Sequence, residues 1–216
     1  AERDTPLAEG ELRSPRDASG WYWNVGALAQ RERDADLSIT SQRLRASRST
    51  DSPTLDRSIY LQYDRARSDS LALRSAGPLV AESSVSANFA FARRQYDALP
   101  LARRGQGLTT ELGLGLTLGD SRRPYLRTHT RWHNPISLTE GAGGQRLSLR
   151  AEAGAVLAAD DARLPATQRF LAGGDVSVRG YDLRGIGVAQ ADGSVLPGRY
   201  LAVLSVEWQR PIRRSG

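Results

Sequence analysis

His129 and His133 are the only two histidines in the chain. Four residues apart, they would form a metal pair on one face of a helix. On a strand they stand roughly 13 Å apart, which does not support a metal site. Their segment, Tyr125 to His133, puts Arg127, His129, Arg131 and His133 on one parity, as a polar lumen wall or a solvated face would. Neither histidine has an evident acid partner. The abundant serines form no G-x-S-x-G elbow, so no nucleophilic triad assembles. Asp160 and Asp161 read as exposed turn acids, not as a working carboxylate pair. Cysteine is absent, which removes disulfides and thiolate metal centres. No catalytic residue, metal site or cofactor is expected, and the chain reads as a protein without enzymatic activity.

The chemistry that remains lies in RFLAGGDVSVRGYDLRG, Arg169 to Gly185, where hydrophobic alternation stops. Gly173-Gly174 lacks the Gly-Lys-Ser/Thr continuation of a phosphate loop and opens no helix, so nucleotide binding is not supported. Its two missing Cβ atoms instead allow a sharp turn or a close backbone approach, and Asp175 follows as a turn-compatible acid. Ser177, Val178, Arg179, Gly180 and Tyr181 then form a short tip. Arginine supplies a rigid five-donor fork, glycine close approach and tyrosine an amphipathic anchor, a combination suited to a loop tip pushed into a pocket. A solvated surface turn is the alternative.

The elements that must position this stretch are strands. Aromatics are 6% of the chain, mean hydropathy is −0.46, and apolar residues seldom run more than four together. No stretch approaches the roughly 18 apolar residues of a transmembrane helix. A membrane barrel is compatible with such values, because lipid-facing and lumen-facing residues alternate along its strands. All 30 basic residues are arginine, giving a net charge of +6 and a pI near 10.2. Anionic lipid or nucleic acid would suit that charge, but the arginines alternate with acids and form no single basic stripe, so no nucleic-acid partner is expected.

Residues Ala1 to Gly20, with Pro6, Gly10 and Pro15, read as a long turn. Trp21, Trp23, Val25, Ala27 and Ala29 then share one parity on a first strand. The two tryptophans suit an interfacial girdle or a soluble core. A charged turn, Glu32 to Asp36, precedes a second strand over about 37–46. Further strands are expected at Ser58 to Arg67, around Val85 to Phe91, at Leu108 to Leu118, at Tyr125 to His133, at Leu147 to Leu157 and at Tyr200 to Arg210. The Leu108 to Leu118 strand holds leucines on one parity and Glu111, Gly113 and Gly115 on the other; inward glycines suit a polar lumen that must accommodate something. Ala159 to Arg199 is a loop of about forty residues, long enough to be functional or disordered.

Gly-Gly-Asp, then Ser-Val-Arg-Gly-Tyr, then Gly185-Ile186-Gly187 and the strand LAVLSVEWQRPI from Leu201 to Ile212 resemble the bacterial surface antigen family of outer-membrane assembly proteins, the BamA and TamA superfamily. The order RF-x-AGGD-x-SVRGY followed by S-x-E-x-Q is most like the TamA type, the barrel subunit of the translocation and assembly module. The resemblance is specific over about forty residues and upstream is a pattern of strands alone. It implies an all-β fold, a partial antiparallel transmembrane β-barrel with about eight of an expected sixteen strands. Residues 1–216 would be the central part of that barrel domain. Loop 159–199 would insert into its lumen, and the POTRA repeats and terminal strands would lie outside the sequence. Its start shows no Met or signal peptide, as an internal fragment would. Its outer strands would be open edges, so the segment alone is expected not to form a stable membrane protein.

The resemblance also implies that Arg179, at the loop tip, pairs with Glu207 on the inner wall, with a second family acid falling beyond Gly216. Arg179→Ala would then cost up to roughly 3 to 5 kcal/mol in a dry lumen. The implied location is the outer membrane of a Gram-negative cell. The implied function is assembly, insertion or export of β-barrel and autotransporter clients, with outer-membrane lipid, unfolded client proteins and a periplasm-spanning companion subunit as partners. A BamA-like general insertase and a two-partner secretion pore are the nearest alternatives. A passive porin or a soluble β-sandwich binding module is the different class.

Overall fold

A computed structural model describes residues 7–34, 37–69, 81–97, 104–119, 122–139, 144–174, 177–190 and 195–210. Nine strands form one antiparallel sheet: β1 (Leu7–Arg13), β2 (Tyr22–Asp34), β3 (Leu37–Thr50), β4 (Leu55–Asp69), β5 (Glu82–Tyr96), β6 (Gly105–Leu118), β7 (Pro124–Ser137), β8 (Arg146–Ala158) and β11 (Tyr200–Gln209). They lie side by side in chain order, with β11 beside β8. Between those two, the loop carries a 3-10 turn, Ala166–Gln168, and a ribbon of β9 (Val188–Ala189) with β10 (Val195–Leu196). The sheet is a barrel wall that does not close on itself among the described residues.

Alternation decides which face of each strand meets lipid. In β6, Leu112, Leu114 and Leu116 are exposed, while Gly113 and Thr117 on the opposite parity are buried. In β4, Ile59 and Leu61 are exposed against buried Tyr60, Gln62, Asp64 and Ala66. The same division holds in β5, with Val85 and Phe89 outward and Ser84, Ser86 and Asn88 inward. Exposed outward residues such as Leu114 (67%) and Leu204 (75%) make an apolar belt, as lipid requires, and the buried polar parity faces the loop. A soluble sandwich would bury the apolar parity instead. From β2 to β8 the strands run 13 to 15 residues, longer than a bilayer demands.

Three sequence expectations change. Leu7–Arg13 is not part of a long turn but strand β1, paired with β2 from Leu7↔Gln30 to Arg13↔Asn24. Every residue of β1 is exposed, so its pairing, through main-chain bonds and polar contacts such as Asn24 Nδ2 to Glu11 Oε1, leaves no hydrophobic signature. Glu32 belongs to β2, not to a charged turn, because cross-strand pairing with β3 runs on to Asp34. Likewise β3 continues past Ala46 to Thr50. Only the β1–β2 connection remains a turn. There Asp17 Oδ1 accepts the Ser19 and Trp21 amides at 2.9 and 3.0 Å. The Trp21 amide, then the Ser19 amide and Arg48, hold the Asp17 carboxyl below its ordinary value against a smaller desolvation effect.

Candidate functional site

The described part of the 159–199 loop packs on the polar inner face of the sheet, and nearly all buried apolar side chains lie where the two meet. Tyr125 and Val156 of the wall surround Leu164 and Phe170 of the loop, and Ile39 and Ala66 hold Ala166. Phe170 is seated over Gly154 of β8. A Cβ there would stand 2.6 Å from Phe170 Cζ, so glycine makes the seat. The Phe170 ring also meets the His129 ring, 5.5 Å between centroids, and the Arg127 guanidinium at 4.9 Å.

Polar contacts fix the loop's root around this seat. Asp64, fully buried on β4, accepts from Gln168 Nε2 at 2.6 Å and Thr167 Oγ1 at 3.3 Å in the loop. On its other side it pairs with Arg43 Nε of β3 at 2.9 Å. Arg169 Nη2 reaches Glu82 Oε2 at 3.0 Å and the Leu164 carbonyl at 2.8 Å. Arg127 Nε donates to the Gln168 carbonyl at 3.2 Å. Farther along the loop, Arg184 pairs with Glu32 on β2. The loop's neck is closed by main-chain bonds between Phe170 and Gly198, 2.8 Å in each direction, and by Val156 N to the Arg199 carbonyl at 2.8 Å. The Arg199 guanidinium bonds the carbonyls of Ala158, Ala159 and Asp160.

Past the root, paired Ala172 and Ile186 lead to the tip. Gly173 and Gly174 take φ of 115° and 88°, which L side chains rarely adopt, and Gly180 takes 87°. Gly173 N lies 3.4 Å from Ser177 Oγ, Ser177 N bonds the Gly174 carbonyl at 3.1 Å, and Gly174 N bonds the Tyr181 carbonyl at 3.2 Å. These bonds draw Gly173, Gly174, Ser177 and Tyr181 together. Asp175 lies outside the described residues. Val178 is half-buried, whereas the Tyr181 side chain is 60% exposed, so the aromatic does not anchor in a pocket as its type suggested.

Arg179 Nη1 stands 3.3 Å from Glu207 Oε1 on the inner parity of β11. Arg150 of β8 pairs with the same carboxylate oxygen, and Gln209 Nε2 lies 3.3 Å from Oε2. Arg179 is 67% exposed and Glu207 18%. Removing Arg179 therefore leaves Glu207 with a partner, and the cost falls from the 3 to 5 kcal/mol of an orphaned buried charge to about 1 kcal/mol or less. The root contacts at Asp64 and Glu82 join residues 87 to 104 positions apart. In the sequence Asp64 is one residue of the expected Ser58 to Arg67 strand, with nothing local to mark its partners. His129 likewise has an acid neighbour that spacing did not reveal, Glu152 Oε1 at 2.7 Å across β7 and β8.

A sheet apolar on its outer face and polar on its inner face, with a loop of its own chain packed on the inner face, is that of a partial transmembrane β-barrel. The Omp85 superfamily domain matches residues 80–215, from the start of β5 through the loop and β11, and the chain belongs to that superfamily. The crystal structure of BamA from Haemophilus ducreyi lacking POTRA domains 1-3 has a similar fold, with a TM-score of 0.76 and 13% sequence identity over 99% of this chain. This chain spans 46% of that BamA chain's length. No curated protein matches the sequence. The protein is accordingly an outer-membrane barrel protein of a Gram-negative cell.

Proposed function

We propose that this chain is the central, plug-bearing part of the barrel of an outer-membrane assembly factor, which inserts or translocates other outer-membrane proteins without enzymatic chemistry. Residues 1–216 make up barrel domain, and 159–199 are its lumen-inserted loop. One observation carries the reading: the loop is held at both ends of its course, from Asp64 and Glu82 at the root to Glu207 at the tip. From Leu201, beside Gly154 and the root, to Glu207 the wall runs six residues, roughly 20 Å of strand. A loop docked over such a distance makes a plug rather than the free constriction of a passive porin. The RF-x-AGGD-x-SVRGY order supports a TamA-type factor, with autotransporter and other β-barrel clients and a periplasm-spanning companion subunit. POTRA repeats would precede such a barrel.

In this reading the tip is a releasable pin. Arg179 shares Glu207 with Arg150, so letting go leaves no unpaired carboxylate and the loop tip moves at little cost. The test is conductance in planar bilayers of the complete barrel that contains this chain, with wild type and Arg179→Ala side by side. Low, flickering conductance in wild type and a larger open fraction in the variant are expected; steady, large conductance in wild type means a porin and defeats the proposal. Unchanged loop protection in hydrogen exchange after Arg179→Ala would remove the pin.

A further inference from the structure

We propose that the outward face of β2 to β5, at the end of the barrel opposite the plug's entry, binds the phosphate headgroup of an anionic glycerophospholipid. Trp21 and Trp23 lie on the lipid-facing parity of the β2 segment, and Trp23 is 59% exposed. Arg48, Arg57 and Arg93 share that outward parity on β3, β4 and β5, and all three are exposed. The Arg48 and Arg57 guanidinium carbons each stand 5.6 Å from the centre of the Trp21 ring, and Arg48 stands 5.9 Å from that of Trp23. Indoles flanked by guanidinium groups sit stably at the height of lipid headgroups, with ring in the interface and charge toward phosphate.

The arginines are not equivalent. Arg48 is already neutralised, 3.0 Å from Asp17. Among the described residues Arg57 and Arg93 have no carboxylate partner. Arg57 pairs across with Phe91, two residues from Arg93, so the two are diagonal neighbours on one face, about 7 to 8 Å apart at Cα. That spacing lets two forks converge on one phosphate. Exposed Ile59 and Phe89, farther along the same face, offer acyl-chain contact beside it.

Connection length identifies the leaflet. At this end the connections are 14–21, 51–54, 97–104 and 138–145, none longer than eight residues, whereas the other end has 35–36 and 119–123 together with the two longest, 70–81 and 159–199. Outer-membrane barrels keep short turns on the periplasmic side and long loops outside. The site therefore faces the phospholipid leaflet, and its occupant is a glycerophospholipid instead of lipid A.

The test reconstitutes the complete barrel protein that contains this chain, with every tryptophan other than Trp21 and Trp23 replaced by phenylalanine (Trp132→Phe and Trp208→Phe among them), into bilayers of zwitterionic lipid containing brominated phosphatidylglycerol or brominated phosphatidylethanolamine. Quenching of Trp21 and Trp23 then reports which lipid occupies the site. A basic residue near an anionic membrane surface is worth about fivefold in binding. Brominated phosphatidylglycerol should therefore be favoured at least about fivefold, less at high salt, and about equally with the zwitterionic lipid in Arg57→Gln/Arg93→Gln. Lumen-facing Arg131→Gln should keep the preference. Equal quenching by both lipids in wild type, or a preference that survives Arg57→Gln/Arg93→Gln, overturns the proposal. Displacement by lipid A at lower concentration than by phosphatidylglycerol overturns the leaflet and with it the assigned lipid.

Discussion

Asp64→Ala is the sharpest perturbation of the plug. Asp64 is fully buried and receives two donors from the loop, Gln168 Nε2 at 2.6 Å and Thr167 Oγ1 at 3.3 Å. A hydrogen bond to a charged group contributes about 1.5 to 3 kcal/mol. The Gln168 bond belongs at the upper end of that range and the longer Thr167 bond below it. Root docking should thus weaken by at least about 3 kcal/mol, two decades or more in its opening equilibrium. The reporters are the amides of Gln168, Arg169 and Phe170, bonded to the carbonyls of Pro165, Ala166 and Gly198. Hydrogen exchange at these three should accelerate by roughly two orders of magnitude if local opening controls it. Asp64→Asn keeps an acceptor for Gln168 and should cost about 1 kcal/mol, a tenfold effect at most. Gln168→Ala should loosen the same amides, and in the double variant with Asp64→Ala the two losses should not add. Unchanged protection at 168–170 in Asp64→Ala would refute the reasoning. Equal loss across β3 and β4 would show that Asp64 serves the wall through Arg43 more than it serves the plug.

Two further outcomes follow from the geometry. Gly154→Ala puts a Cβ against Phe170 Cζ and should unseat the ring, at about 1 to 3 kcal/mol; faster exchange at the Phe170 amide with an intact sheet is the expected result. For Asp17, the folded carboxyl titrates below its unfolded value, so its contribution to the β1–β2 turn is complete above the unfolded pKa and lost as pH falls through the lower folded one. The Trp21 amide should therefore keep its protection down to the ordinary aspartate range and lose it only as the pH falls below that, and Asp17→Asn should flatten that dependence.

Strands with two clean parities were legible in the sequence. The leucines of β6 and the Leu147 to Leu157 series of β8 indicated both strand and outward face, because lipid and lumen impose opposite demands on alternate residues. β1 was not legible, since LAEGELR is exposed throughout and buries no apolar parity, and flanking prolines imitate a turn. The tip residues stood out as a motif, as did the inner parity of Glu207. Arg150, which takes the same oxygen of Glu207, and the contacts of Asp64 with Gln168 and of Glu82 with Arg169 did not stand out. Those partners are set by how the loop folds back across the sheet, a relation between distant segments that no local period encodes.

The neck of the loop has a mechanical meaning. Any pull on the tip from inside the lumen travels along two chain segments that meet again at Phe170 and Gly198, hydrogen-bonded in both directions, before it enters β8 or β11 through the chain. Behind that crossing, Arg199 grips three successive carbonyls at the end of β8, so the last turn of the loop is riveted to the strand it leaves. Traction is therefore spent on the pin at Glu207, the Arg184–Glu32 pair and the bridge between Ala172 and Ile186 first, while the ten-residue ladder between β8 and β11 stays unloaded. The tip can be drawn out like a bolt on a tether, with the wall it leaves still zipped.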